Sequence, residues 1–412
     1  MRYCPPREDV LGGSAHEEHR AALAALAGDD VPPAAMGLAA VEARPRWRRT
    51  FARFTPGLAP FITIVLEAVG PPQEIVRVDA FAERPPCAGA VRTIVGRRAV
   101  WLTAAPFSDD PRLPALPAVL ARCDAYEVVR YRPRRRCSLL AVVAGEPRYA
   151  KVLADGSAQA IHRAGVELWK VAARGELRFA VAAPDRCDAA TSTVWQHAVP
   201  GTAVKERLLA AEGPALAERL GAALASLALS SARPADVRGR GAAFGRTMSI
   251  GRDLTALVPG LGAQVDALLS EIRRLHDAAP ARPLRPVHGA PHPRQWLELE
   301  GDLGLVDFDN FALGEREVDV AIFLAAMDAE RSAHAADVNA AFLAGYEAVA
   351  GRLDGALLAG RRAAERLAKA RRSAWAVRPD GDERAARDLT RAWEPIEQHE
   401  RGGAGRPGRS AR

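Results

Sequence analysis

The sequence predicts an α+β protein in which a small β-rich lobe carrying one helix precedes a large helical lobe. Three observations lead there. From Tyr126 the chain reads strand, turn, strand, turn, strand, and then one amphipathic helix. Beyond Pro200 and Gly201 the pattern is almost wholly helical. A hydrophobic content of 49% over 412 residues supplies core enough for one large or two to three ordinary domains.

The elements follow in order. Residues 1–118 form an N-terminal accessory region that starts helical and polar, with an alanine-rich piece at 21–27. It then turns β-like at 61–68, 74–80, 90–95 and 98–103, short runs split by Gly and Pro in the manner of hairpins. A stretch rich in Pro and Asp at 106–117 marks a boundary. The β-rich lobe spans 119–200, with strands at 126–131, 138–143 and 149–153 separated by the basic turn 132–136 and the turn 145–147. Its helix has Ser157 as N-cap, Ile161, Ala164, Leu168 and Ala172 as the apolar stripe, and Gly175 as the stop. Strand-like pieces at 179–183 and 192–199 lead to the junction near 197–201. The helical lobe spans 201–395, with helices at 213–231, 249–278, 317–327, 335–351 and 354–375; residues 396–412 read as a disordered basic tail. Ligand sites favour clefts between such lobes.

Composition narrows the function classes. No apolar run approaches the roughly 20 residues of a membrane span. The N-terminal MRYCPPREDV lacks the apolar stretch of a signal peptide. A soluble cytoplasmic protein without a membrane partner is expected. Five scattered cysteines fit reduced thiols rather than a zinc site. The net charge is +7, yet only four of the 57 basic residues are Lys and the arginines are spread along the chain. That spread reads as coding bias, so no nucleic-acid partner is expected; such a partner would bring steep salt dependence. In a chain where Arg is the default cation, a Lys marks a site wanting a compact point charge.

The informative stretch is 287–320. Residues 296–299 and 303–308 read as two strands around 300–302. With Gly301 at the centre of the turn, residue 300 lies opposite 302, and Gln295 opposite Asp307. An amide oxygen beside a carboxylate is a pair of hard oxygen ligands suited to Mg²⁺. An ordinary surface hairpin with polar ends has the same spacing, so the pattern alone leaves both readings open.

Three motifs in order carry a resemblance: His288-Gly289-x-x-His292-Pro293, then Asp307-Phe308-Asp309, then Asp319 ahead of an apolar helix. Together they resemble the aminoglycoside phosphotransferase and choline-kinase-like family, which shares the protein-kinase-like two-lobe fold. Upstream, the stretch 131–137 and Tyr149-Ala150-Lys151-Val152 resemble that family's first hairpin and nucleotide lysine, so the likeness spans residues 120–395. It implies ATP and Mg²⁺ as cofactors, with Lys151 on the nucleotide phosphates and Asp307 on the metal. It also implies Glu167 as the ion-pair partner of Lys151; surface pairs with Arg163 or Lys170 are the alternative. Trp195, Gln196 and His197 would form the hinge that meets adenine, or else a plain connecting strand. Arg134 and Arg135 would lie over the phosphates, or else form a solvated charge run; the family often has Gly where this chain has Arg134. Gln295 stands as a metal ligand where the family usually has Asn. His288 and Asp319 are implied as structural supports, and Asp309 is left open between the metal and solvent.

One departure matters more than these. The family's HisGlyAsp carries the base that receives the acceptor's proton, and this chain has Ala290 in its place. A general base is worth about 10²–10⁴-fold, whereas positioning and charge neutralisation dominate phosphoryl transfer. His292, two residues on, is the candidate substitute in catalysis. Two functions follow. One is an ATP- and Mg²⁺-dependent phosphotransferase, a kinase acting on an alcohol group of a small hydroxylated molecule, slow for want of its base. The other is a nucleotide-binding pseudokinase with a regulatory or scaffolding role, residues 1–118 being open to a protein partner. The helices of 205–280 and 330–395 hold no acid cluster, which weighs against a polycationic aminoglycoside as acceptor.

Overall fold

The computed structural model describes residues 47–404 apart from 56–60, 71, 82, 86–89, 96–97, 331, 377 and 379. The helical piece expected at 21–27 and the tail beyond 404 lie outside the described residues. Strands β1 (Trp47–Thr55), β2 (Phe61–Ala68), β3 (Ile75–Phe81), β4 (Val91–Val95) and β5 (Arg98–Pro106) make an antiparallel sheet in the order β1-β2-β3-β5-β4. β2 is largely apolar and β3 is buried along almost its whole length, because both faces of this sheet are covered. Ile62, Ile64, Val76 and Val78 enter one core, and Val65 and Ile75 enter another. β1 was not foreseen: its arginines mask the alternation, and Arg53 stacks 4.3 Å from the ring centre of Trp375.

After a short helix α1 (Leu116–Leu120), strands β6 (Ala125–Arg132), β7 (Arg136–Val143) and β8 (Glu146–Leu153) lead into helix α2 (Ala158–Ala173). β9 (Pro184–Asp188) and β10 (Thr193–His197) complete a second antiparallel sheet, ordered β6-β7-β8-β10-β9. The strand expected at 179–183 is not one. Phe179 and Val181 plug into the core below, leaving a single bridge from Ala180 to Gly304. The polar segment 184–188 takes the sheet edge instead, with Arg186 stacked 4.7 Å from Trp195.

The helical lobe runs β11 (Thr202–Ala203), α3 (Lys205–Leu208), α4 (Gly213–Leu229), β12 (Val237–Arg238), α5 (Arg240–Leu257), α6 (Gly262–Ala278) and β13 (Arg285–Val287). Then come β14 (Trp296–Leu299), β15 (Asp302–Leu305), β16 (Ala312–Gly314), α7 (Glu317–Met327), α8 (Ala335–Ala350), α9 (Gly355–Trp375), α10 (Gly381–Thr390) and α11 (Glu394–Ala404). The single helix expected over 249–278 is two, because Pro259 opens a separate turn and can donate no helical hydrogen bond. Residues 396–404, expected as disordered tail, continue α11, and Ile396 is buried against α9 and α10.

Packing explains the arrangement. The second sheet turns Tyr131, Cys137, Leu139, Ala150, Val152 and Trp195 toward Val65, Ile75 and Leu116 of the N-terminal region. The first sheet's other face packs on α5, α6 and α9. The N-terminal sheet therefore bridges the outer face of the β-rich lobe and the helical lobe, leaving the opposite face of the second sheet to the cleft. A buried polar network fastens this bridge. Asp79 accepts from Thr63 (2.6 Å), Arg77 (3.1 Å) and Arg134 (2.9 Å), while Asp110 accepts from the Tyr131 hydroxyl (2.7 Å) and the Arg134 N–H (2.6 Å).

His276, in the last turn of α6, is buried against the edge of Phe244, and among the described residues neither of its ring nitrogens has a hydrogen-bond partner. Burial, and then Arg361, push its pKa down to about 4. In the unfolded chain the value is about 6.5. Between these values the unfolded chain takes up a proton that the folded chain refuses, so His276 withdraws stability as pH falls through that window. In urea unfolding, His276→Leu is expected to gain about 2 kcal/mol on wild type between pH 7.5 and 4.5. Parallel pH profiles would contradict this.

Candidate active site

The site is assembled where the cleft face of the second sheet meets the loop and hairpin at 288–309. β13 ends at Val287 and the chain enters a loop anchored from below. Asp319, in the first turn of α7, accepts the N–H groups of His288 (2.6 Å) and Gly289 (2.7 Å). Burial pushes its carboxyl up to about 7 against the pull of those two donors. His288 is fully buried; Ala290 N–H donates to its Nδ1 at 3.2 Å, which places the ring proton on Nε2, facing Val306 O at 3.0 Å. Burial holds this imidazole near a pKa of about 4, so it stays neutral. Gly289 has φ +78°, and a Cβ there would lie 2.5 Å from the Asn310 carbonyl oxygen, so only glycine fits. Asp319 and His288 are thus tied to the loop backbone by these hydrogen bonds.

The hairpin is one residue out of the expected register. Leu299 pairs with Asp302 and Trp296 with Leu305, closing a two-residue turn at Glu300 (φ 29°) and Gly301 (φ 101°). Gln295 and Asp307 still meet, through Gln295 Nε2 donating to Asp307 Oδ2 at 3.0 Å. The amide oxygen of Gln295 instead accepts the His292 N–H at 3.2 Å, and the His292 side chain accepts the Gln295 N–H in return. Gln295 therefore does not present an oxygen beside Asp307, and His292 serves as a cap of its own loop rather than standing free as a base. Both corrections have one cause: reciprocal capping satisfies the one-turn helix 293–295.

Asp307 sits in the left-handed region (φ 71°), which costs a non-glycine residue about 1 kcal/mol but which Asp tolerates better than most. That conformation and the following turn bring Asp307 and Asp309 to the same cation. Lys151 Nζ donates to Asp307 Oδ1 and Asp309 Oδ1, each at 2.5 Å, and Arg136 bonds Asp309 and lies 3.7 Å from Asp307. Burial works against the charge of Asp307, yet Lys151 and Arg136 hold its carboxyl well below the usual range. Asp309 goes the other way, because burial together with the Asp307 charge outweighs Lys151.

Other expected site residues lie elsewhere. Glu167 does not pair with Lys151; it accepts the Arg233 N–H at 2.9 Å, since the face of α2 beside Leu168 and Val171 packs on the helical lobe. With two aspartates beside Lys151, a third carboxylate has no charge to answer. Arg134 leaves the phosphate side, its φ of 60° turning it back to Asp79 and 4.5 Å from the ring centre of Phe61. Arg135 is exposed at the same turn. Trp195 is wholly buried in the core behind the sheet. Gln196 pairs with Tyr149, and His197 N–H is taken by the Ala183 carbonyl, so 195–197 form an inner strand that ends just before 198–201. Arg136, missed in the sequence, was legible from strand alternation: Ser138 lies opposite Lys151, which puts 136 on the same face as the lysine.

Residues 155–356 match the family model of the phosphotransferase enzyme family. Over that segment the chain is similar to this family, in keeping with the motifs it carries; the match starts just past Lys151. No curated protein sequence matches the chain. Solved structures similar to it include the choline kinase LicA from Streptococcus pneumoniae, at 13% identity and a TM-score of 0.48, covering 68% of this chain and 96% of that one. A choline/ethanolamine kinase family protein from Mesorhizobium loti is 15% identical with a TM-score of 0.48, covering 72% and 98%. The streptomycin–ATP ternary complex of APH(2″)-IIa is 13% identical with a TM-score of 0.48, covering 68% and 97%. The two-lobe fold itself is read from this chain's own topology, an antiparallel five-stranded lobe over a helical one.

Proposed function

We propose that the protein is an ATP- and Mg²⁺-dependent phosphotransferase acting on a small molecule. The observation that carries this reading is the buried Lys151 bridging Asp307 and Asp309 across the cleft. The donor set fits the cofactors. Two carboxylates converge on one point that a cation already occupies, and hard oxygens are what Mg²⁺ selects. Asp307 and Asp309 would hold the metal, and Lys151 and Arg136, released from them, would face the phosphates. Bound there, Mg²⁺ supplies charge neutralisation at the transferring phosphoryl group. The chain's own part is positioning: Asp319 and His288 fix the loop, and the left-handed turn at Asp307 aims both carboxylates at one point.

A second reading, a nucleotide-binding pseudokinase, is favoured by Ala290 and by the hairpin tip tied to Asp79 and Asp110 rather than free to cover a nucleotide. ADP formation by the full chain with Mg²⁺ and ATP, across a panel of small acceptors, separates the two. Acceptor-dependent ADP formation supports the transferase; nucleotide binding without any ADP supports the pseudokinase.

A further inference from the structure

The turn at 132–136 is held by carboxylates from both sides. On its outer side stand Asp79 of β3 and Asp110, just beyond β5, which are 2% and 1% exposed. Asp110 Oδ2 accepts the Arg134 N–H at 2.6 Å and the Tyr131 hydroxyl at 2.7 Å, and its Oδ1 accepts the Arg112 N–H at 2.9 Å. Asp79 takes the Arg134 guanidinium at 2.9 Å and is itself fixed by Thr63 and Arg77. On the inner side, Arg136 bonds Asp309 and lies 3.7 Å from Asp307. A further tie joins the turn to its own sheet, where the Ala154 N–H donates to the Arg135 carbonyl at 2.9 Å.

By itself this turn is disfavoured. Five arginines stand within residues 130–136, and like charges so close repel one another. Arg134 also adopts a φ of 60°, which a residue with a Cβ takes only at a cost. The outer carboxylates answer both. Asp110 accepts the N–H that the left-handed backbone presents, and Asp79 neutralises the side chain. Hydrogen bonds to an ionised partner are the strong ones. Together with the pairing of Arg136 to Leu153, they fix the backbone that carries Arg136, two residues on and on the cleft side. A tip held in this way does not fold down over the cleft; it holds a cation at the rim.

We infer that Asp79 and Asp110 are positioning residues for the nucleotide site: acting through Arg134, they hold Arg136 against the phosphates when Mg²⁺ and nucleotide claim Asp307 and Asp309. This rests on the nucleotide site proposed above. While Lys151 and Arg136 are engaged with the inner carboxylates, both pairs hold the turn. Metal binding takes the inner pair, and the outer pair then anchors the turn from its side alone. The cost of loosening the outer pair therefore falls on the nucleotide-bound state. The N-terminal sheet thereby serves the site from the outer face of the β-rich lobe.

Calorimetry of ADP binding to the full chain in the presence of Mg²⁺ tests this, in wild type, Arg134→Gly, Arg136→Gln and the double variant. Glycine accepts the φ of 60° and keeps the N–H for Asp110, so Arg134→Gly removes the hold of Asp79 without straining the turn. It is expected to weaken ADP at least about fivefold, but less than about twofold in the Arg136→Gln background, since residues acting through one another are not additive. Tyr131→Phe keeps the ring on Phe107, 5.9 Å between centres, and removes one donor from Asp110. It is expected to weaken ADP in the same direction. Thermal midpoints taken alongside check that each variant is folded. A merely structural tie moves the midpoint and leaves affinity alone. Equal affinity in wild type and Arg134→Gly, tighter binding in that variant, or losses that add in the double variant would overturn the inference. Failure of ADP to bind wild type would instead sink the nucleotide site on which it rests, so the two failures are distinguishable.

Discussion

Asp307→Asn is expected to lower acceptor-dependent ADP formation by about 10²–10⁴-fold while the fold stays in place. Metal-borne stabilisation of a transferring phosphoryl group is worth several kcal/mol, and each 1.36 kcal/mol is about tenfold in rate. An amide at this position keeps the shape but cannot offer a charged ligand. The fold tolerates the change for two reasons. Asn is among the residues that accept the left-handed backbone found at 307. Lys151 also keeps Asp309 as its partner at 2.5 Å. Rates of ADP formation measured beside the thermal midpoint of each protein check this. Unchanged turnover in a folded variant would remove Asp307 from the chemistry.

Gly345→Ala is expected to cost about 3 kcal/mol or more, the upper range for forcing extra volume into a packed interior. Gly345 on α8 and Gly221 on α4 mark a crossing where backbones touch. A Cβ on Gly345 would lie 2.1 Å from the Glu218 carbonyl oxygen, and one on Gly221 would lie 2.0 Å from that of Phe342. Neither neighbour is a side chain that can swing aside. Because α4 and α8 share a core with Trp296 and Leu305 of the hairpin, the helices cannot part without disturbing the floor of the site. At about 2–4 °C per kcal/mol the midpoint falls by roughly 6–12 °C. Gly360→Ala is the control: its Cβ would meet only side chains, at 3.6 Å, and helix propensity favours Ala there. Equal midpoints for both variants would contradict the close-crossing account.

How much of this was legible in the sequence differs residue by residue. That Lys151 and Asp307 meet, and that His288 and Asp319 meet at the loop, was readable because local motif and chain order place them there. The hairpin was readable, but its register slipped by one, since centring the turn on Gly301 hides that Glu300 also adopts positive φ. Glu167 and Arg134 were misplaced for a different reason. Their partners, Arg233, Asp79 and Asp110, are chosen by tertiary packing, and for Arg134 by a sheet with no counterpart in the motifs that carried the resemblance. Similarly, apolar content at 179–183 signalled burial, and the burial is against the helical lobe rather than in a sheet. The break at Pro259 and the alternation that exposes Arg136 were present in the sequence and went unread.

The most direct test of the account is thermal unfolding of the full chain with and without Mg²⁺ and ATP, in wild type and Lys151→Ala. A ligand at about 100 times its Kd adds about 2.7 kcal/mol to the folded state, a rise of a few degrees. The account predicts that rise in wild type and its loss in Lys151→Ala, because the lysine meets the phosphates once the metal takes the two aspartates. A midpoint in wild type that does not move at any nucleotide concentration would contradict it.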